Sequence, residues 1–284
     1  MRRRLLLPLL VVSMVLFPCV TAQLFAQELA ARDTIGRHFT VENSEYRNKY
    51  NLSQFGHETV DFFIRPTAWD GIDWLRLGVI GGATFLAMQS DQPVRDAILK
   101  TNGHYFRSVP IEGARMYGEL YSPFVFFGGF ALHYLLTDDM KSRKIAYEIG
   151  QASLYAGAIV LTLKSIIGRA RPLTNEGRAS YIPFTLMDYD HHSLPGGHTA
   201  TAFVISTVLS RNVHPMWLKV LVYVPAVLTA YSRIYQDQHW SSDCLLGGAI
   251  GYAVADWVVD VHEQKESRIH VSSLFPLTIS IALN

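Results

Sequence analysis

The sequence predicts an all-α fold, a helical bundle of about six core helices with its chemically active side chains at helix ends. Three observations carry that prediction. Apolar stretches of helical spacing alternate with polar connections, at 74–88, 120–136, 145–167, 199–209, 216–231 and 243–259. Alternation with a period of two, the mark of a half-buried strand, is scarce. The residues able to do chemistry gather where those stretches begin or stop. With 284 residues and 49% apolar content, the chain is long enough to bury a sizeable core.

Taken in order, the chain opens with Arg2, Arg3 and Arg4, an apolar run over 5–20, and small residues at Ala22 and Ala26. A charged start, a run short for a bilayer and a small-residue exit describe a signal peptide over residues 1–26, with a retained N-terminal anchor as the alternative. Residues 27–70 are polar and without clear period, a lead-in segment with room for a short helix. The helical domain proper occupies 71–262. Residues 263–284 form a C-terminal tail, where β-branched residues around Pro276 favour a short strand or an ordered end.

Most of the apolar stretches fall short of twenty clean residues, and several carry a charge: Arg76, Glu148, Lys219 or Asp256. The expectation is therefore a globular helical domain exported to the periplasm and associated with a membrane surface. A multi-pass inner-membrane protein with its site facing the periplasm is the alternative. A formal net charge of +1 provides no broad field for nucleic acid. Of the two cysteines, Cys19 lies inside the signal, which leaves Cys244 as a small buried hydrophobe.

Three blocks carry chemistry. In the first, Lys164 and Arg171 lie seven residues apart, nearly two helical turns, so both cations project from one face. Pro172 disfavours helix at the residue before it and places Arg171 at the helix end, while Arg169 points elsewhere and is expected to be solvated. In the second, Gly196 and Gly197 precede His198 directly before an apolar helical stretch. Glycines allow close backbone approach, and a helix start aims free N–H groups at an anion. In the third, Arg233 offers a planar fork for phosphate oxygens, and His239 and Asp243 stand four apart on one helix face. An aspartate accepting from Nδ1–H would leave Nε2 of the histidine as a free nucleophile. Singly, each block also reads as a solvated face, a plain turn or a surface pair.

Together the blocks resemble the type 2 phosphatidic acid phosphatase family, which shares a superfamily with the vanadium-dependent haloperoxidases. That family's pattern is K-x6-R-P, P-S-G-H and S-R-x5-H-x3-D. Here it is met by Lys164 to Pro172, Pro195 to His198, and Ser232 to Asp243, within roughly residues 145–260. Gly196 stands where the family usually has serine, so one hydroxyl beside the phosphate is absent. The resemblance implies hydrolysis of phosphate monoesters with no metal and no cofactor. Lys164, Arg171, Arg233 and the amides of Gly196 and Gly197 would hold phosphate. His239 would attack phosphorus to form a phosphohistidine, oriented by Asp243, and His198 would protonate the leaving oxygen. The implied partner is a phosphorylated lipid or small phosphate ester at a membrane surface, and not nucleic acid. Two other readings stay open: a vanadium-dependent haloperoxidase, and a non-catalytic phosphate-binding, membrane-associated protein. Among the other histidines, His191 and His192 are expected in a loop near the cleft mouth, and His262 beside Glu266 as a solvated surface pair.

Overall fold

The computed structural model describes residues 49–99, 108–186, 188–266, 269–272 and 278–281. The expected signal peptide and most of the lead-in lie outside the described residues. The described chain divides into two compact units, one of residues 49–68 and 108–113, the other of 69–99 and everything from 114 onward.

The smaller unit contains α1 (Leu52–Ile64), started by Asn51, whose side-chain oxygen accepts from Gln54 N at 2.8 Å. The lead-in segment thus holds a full 13-residue helix rather than the short one expected. The larger unit contains α2 (Gly71–Met88) and α3 (Asp91–Leu99), and, after α4 (Val109–Tyr117), the helices α5 (Ser122–Thr137) and α6 (Met140–Ile167). It continues through α7 (Gly197–Asn212), α8 (Met216–Leu221), α9 (Val224–Tyr235) and α10 (Ser241–Glu266). Beyond α10, β1 (Ile269–Ser272) pairs antiparallel with β2 (Thr278–Ile281), two strands where the sequence suggested one or an ordered end.

Capping chemistry sets the helix limits. Asp70 and Asp73 form a reciprocal capping box at the start of α2. Asp139 accepts from Lys141 N and Ser142 N at the start of α6, and Gly168, at φ +60°, ends that helix by donating to Lys164 O at 2.9 Å. A side chain at Gly168 would overlap the carbonyl of Ile182, so the position admits glycine alone.

The core lies between α6, α7 and α10. On α6 the buried residues Ile145, Ile149, Ala152, Ala156 and Val160 repeat every three or four positions along one face. Lys164 continues the same stripe. The closest pairing is α7 against α10, where Gly247 and Gly251 bring the two backbones together. Added Cβ atoms there would overlap the carbonyls of Gly196 and Ala200. Small residues four apart are what close helix approach requires.

Three helical segments are long and apolar enough to cross a membrane: Gly71–Met88, Met140–Ile167 and Ser241–Glu263, or four if α4 and α5 form one bent span. In α2 only Thr84 is buried, although the helix is apolar almost throughout. An apolar helix left uncovered on nearly every side fits lipid, not water. Two of the charges that argued against spans turn inward: Glu148 is fully buried and accepts from Asn212 at 2.7 Å, and Asp256 pairs with Arg211. The globular expectation is corrected accordingly. The chain is a membrane protein.

Candidate active site

The three sequence blocks converge at one end of the bundle, where α6 and α9 finish and α7 and α10 begin. Lys164 reaches the site as the last member of the buried stripe on α6. Its Nζ donates to the carbonyls of His192 and, at 3.3 Å, Ser193. Arg171 follows the Gly168 turn in extended backbone before Pro172. It donates from Nε to Tyr189 O at 2.8 Å and from Nη1 to Gln238 O at 3.1 Å, with its guanidinium 3.9 Å from the centre of the Tyr189 ring. Both cations are therefore held by main-chain oxygens of the 189–193 loop, which is tied in place by Arg171 N donating to Asp190 O and Ser193 N donating to Arg169 O. Arg233, in the last turn of α9, bonds Gln236 at 2.7 Å through Nη1.

The start of α10 is built by two acids. Asp91 accepts from Ser242 N and from the hydroxyls of Ser241 and Ser242. Asp243 reaches back to Trp240 N at 2.8 Å, the N3 half of a capping box. Arg169 joins them, donating to Asp91 at 2.8 Å and to Asp243 at 2.7 Å with all three side chains fully buried. Arg169 is thus not solvated, as the sequence led us to expect. Its charge is placed between two carboxylates that would otherwise be buried without a counter-ion. Ser193 completes the set with a 2.5 Å bond from its hydroxyl to Asp243.

That arrangement alters the role expected of Asp243. Its oxygens are taken by Arg169, Ser193 and Trp240, and His239 Nδ1 stands 3.7 Å from Oδ2, beyond hydrogen-bond reach. Among the described residues, His239 Nδ1 and Arg233 Nε are buried polar atoms with no hydrogen-bond partner. Orphaned atoms of that kind are rare and mark sites prepared for another species. Burial, then Lys164, Arg171 and Arg233, keeps His239 neutral well below the usual imidazole range, against a weak opposing pull from the Ser193 backbone. His198 is lowered to about 2, first by burial and then by Arg233, His239, Arg115 and Arg171. Lys164, Arg171 and Arg233 all act on His239, and Arg171, Arg233 and His239 all act on His198, so the five side chains lie within electrostatic reach of one another.

The two glycines behave differently from each other. The amide of Gly196 donates to Asp243 O at 2.8 Å and is spent within the fold, which corrects its expected part in holding phosphate. Gly197 opens α7, so its amide and those of His198 and Thr199 have no acceptor inside the helix. Its Cα lies close enough to Lys164 that an added Cβ would be 3.7 Å from Cε. At Gly196 the backbone has φ −72°, open to any residue, but a Cβ would meet Asp243 O at 3.0 Å. The position of the family's serine is therefore tight here without being strained.

Several contributors had no sequence signal. Glu119 lies 3.3 Å from His198 Nε2 and pairs with Arg115, both ahead of the first block. Asp91, Ser193 and Gln238 act through contacts with partners 50 or more residues away. His191 is in the expected loop, buried between Asp188 at 2.7 Å and Glu176 at 3.2 Å. His262 is no surface pair: it is buried and meets Glu148 at 3.1 Å.

Residues 148–267 match the model of the PAP2 superfamily, the stretch that holds the three motif blocks. It is similar to the Lipid A 1-phosphatase of Porphyromonas gingivalis, 36% identical over 110 residues that cover 37% of this chain and 22% of the relative. It is also similar to the Undecaprenyl-diphosphatase of Sulfolobus acidocaldarius, 28% identical over 135 residues, 47% of this chain and 61% of the relative. The match spans less than two thirds of either curated relative. Solved structures similar to this chain include Aquifex aeolicus LpxE, at 22% identity and a TM-score of 0.44, covering 58% of this chain and 93% of that one. Another is the PAP2-type phosphatidylglycerolphosphate phosphatase of Bacillus subtilis, at 16% identity and a TM-score of 0.48, covering 66% and 95%.

Proposed function

We propose that this protein is a phosphatase that removes a terminal phosphate from a membrane lipid through a phosphohistidine on His239. The observation that carries the reading is the neutral, buried imidazole of His239 among Lys164, Arg171 and Arg233, with an unpartnered ring nitrogen and an unpartnered guanidinium nitrogen beside it. The names of the two curated relatives, a lipid A 1-phosphatase and an undecaprenyl-diphosphatase, support a lipid substrate.

On this reading the three cations and the first amides of α7 hold the phosphate oxygens and offset charge during in-line displacement. His239 forms the nitrogen–phosphorus bond as the phosphorus–oxygen bond to the lipid breaks. His198 gives its proton to the departing oxygen, then takes one from the water that hydrolyses the phosphohistidine. A dianion arriving beside Arg233 and Arg171 offsets two of the charges that, after burial, depress His198, and so favours its protonated form. As His239 gains positive charge, the 3.7 Å gap to Asp243 closes into a hydrogen bond.

We further infer that the site faces the periplasm. The first turns of α6, at the end of that helix away from Lys164, carry Lys141, Arg143 and Lys144, the basic composition of a cytoplasmic flank.

The deciding experiment uses 32P-labelled lipid phosphate and the purified full chain. Wild type should trap acid-labile, base-stable phosphate on the protein, and His239→Ala should trap none and lose turnover while its thermal unfolding is unchanged. Retained turnover in that variant would end the proposal.

A further inference from the structure

Between Arg171 and the loop before α7 lies a segment that the phosphate chemistry does not use. Residues 181–186 read Tyr-Ile-Pro-Phe-Thr-Leu, without a charge. Phe184 is 80% exposed and Leu186 81%, while Ile182 and Tyr181 are about half exposed at 47% and 42%. The segment is nonetheless firmly held. Ile182 N donates to Gly168 O at 2.7 Å, Phe184 N to Ile166 O at 3.4 Å, and Thr185 O meets His192 Nε2 at 2.8 Å.

Those acceptors fix its depth. Ile166 and Gly168 are the end of α6, a helix long and apolar enough to span, so the segment folds back along the last turn of that helix. Its apolar side chains stand at the level of Ile166, itself 46% exposed, and continue the exposed apolar surface that includes Leu161 at 64%. Three residues further on, Tyr189 holds Arg171 through its carbonyl and its ring.

We propose that residues 181–186 form an interfacial anchor that enters the lipid leaflet and lies along the hydrophobic tail of the lipid whose phosphate the site holds. The occupant is bilayer lipid, because the patch is continuous with the apolar surface of a spanning helix and carries no charge to repel acyl chains. The held residues Phe184 and Thr185 on one side and Tyr189 on the other put the tail contact next to a phosphate-binding arginine. That placement sets how far a phosphate must stand above the hydrocarbon to be attacked. The tail contact rests on the phosphatase reading; insertion of the loop does not.

Two measurements on the full chain in phosphatidylcholine–phosphatidylglycerol vesicles test it. In Phe184→Trp, the added tryptophan emission should be quenched by lipids brominated on the acyl chain. Emission as in water would overturn the anchor, whatever the activity. In Phe184→Asn with Leu186→Ser, asparagine suits the φ of +63° at that position, and both sites are exposed, so folding is preserved. This double variant should lose about tenfold or more in kcat/KM for a long-chain lipid phosphate, with p-nitrophenyl phosphate hydrolysis kept within about twofold. Equal loss on both substrates, or loss on neither, overturns the tail contact. A wild type inert toward both would refute the phosphatase reading, while the quenching result would still judge the anchor.

Discussion

Arg169 shows how much one side chain can hold in place. It neutralises Asp91 and Asp243, and those two acids build the first turn of α10, directly after His239. Removing one member of a buried ion cluster costs about 3–5 kcal/mol, because the remaining charges stay buried without a partner. Arg169→Ala should show that loss in thermal unfolding of the detergent-solubilised protein. Arg169→Lys should recover less than half of it, since one ammonium cannot match a fork that serves two carboxylates. A second expectation at this scale concerns pH. His198 and His239 are both depressed in the fold, whereas the unfolded chain protonates them near the ordinary value of about 6.5. Below that pH the unfolded state binds more protons, so stability should fall as pH drops from about 7 to 5. The melting temperature should fall less over that interval in a His198→Asn, His239→Gln variant; an equal fall would refute the assignment. The eight expected site residues could be named because their spacing is a local property of helices and turns, although the amide of Gly196 is spent on Asp243 O and Asp243 stands out of hydrogen-bond reach of His239. Arg169 and Asp91 were not, because their bond joins residues 78 apart and local spacing cannot register it.

Helices reach the site only as well as they pack on each other. The contact of α7 with α10 depends on glycines at 247 and 251, and it brings Gly196, which caps α7, against Asp243 on α10. Gly251→Val should force the two backbones apart and lower stability by about 1–3 kcal/mol, with activity falling as His198 and His239 separate. Gly157→Ala is the contrasting case. An added methyl there meets nothing within 4 Å, and the helix should gain about 0.5–1 kcal/mol, read as a higher melting temperature. The sequence anticipated helices at all these positions but drew them short. Apolar count undervalues a helix such as α6, whose Glu148 and Lys164 turn inward to partners that only the folded bundle supplies. The same limit hid His262, whose partner is on another helix rather than one turn along its own.

At the scale of the whole molecule, the apolar exterior should dominate behaviour. Alkaline carbonate should leave the protein in the membrane fraction, with release only by detergent; release by carbonate alone would contradict spanning helices. Orientation is a matter of parity. An export signal that leaves residue 27 outside, followed by three crossings, would bring Lys164 back to the cytoplasm. A periplasmic site behind such a signal therefore requires one helix ahead of α6 to lie along the surface. Labelling of single cysteines placed at either end of α5 by a membrane-impermeant reagent should show both ends on one side. Ends on opposite sides would mean that α5 crosses as well as α2 and that the chain before α2 starts in the cytoplasm.

The loop that fixes Lys164 and Arg171 does so through the carbonyls of Tyr189, His192 and Ser193. A peptide oxygen is the one recognition group that no point mutation deletes. Inherited variation can therefore rewrite much of what this loop shows to the outside, and the hold on Lys164 and Arg171 is carried along unchanged. On the proposed phosphatase reading, a lineage built on such a frame is free to drift from one lipid to another without passing through an inactive ancestor.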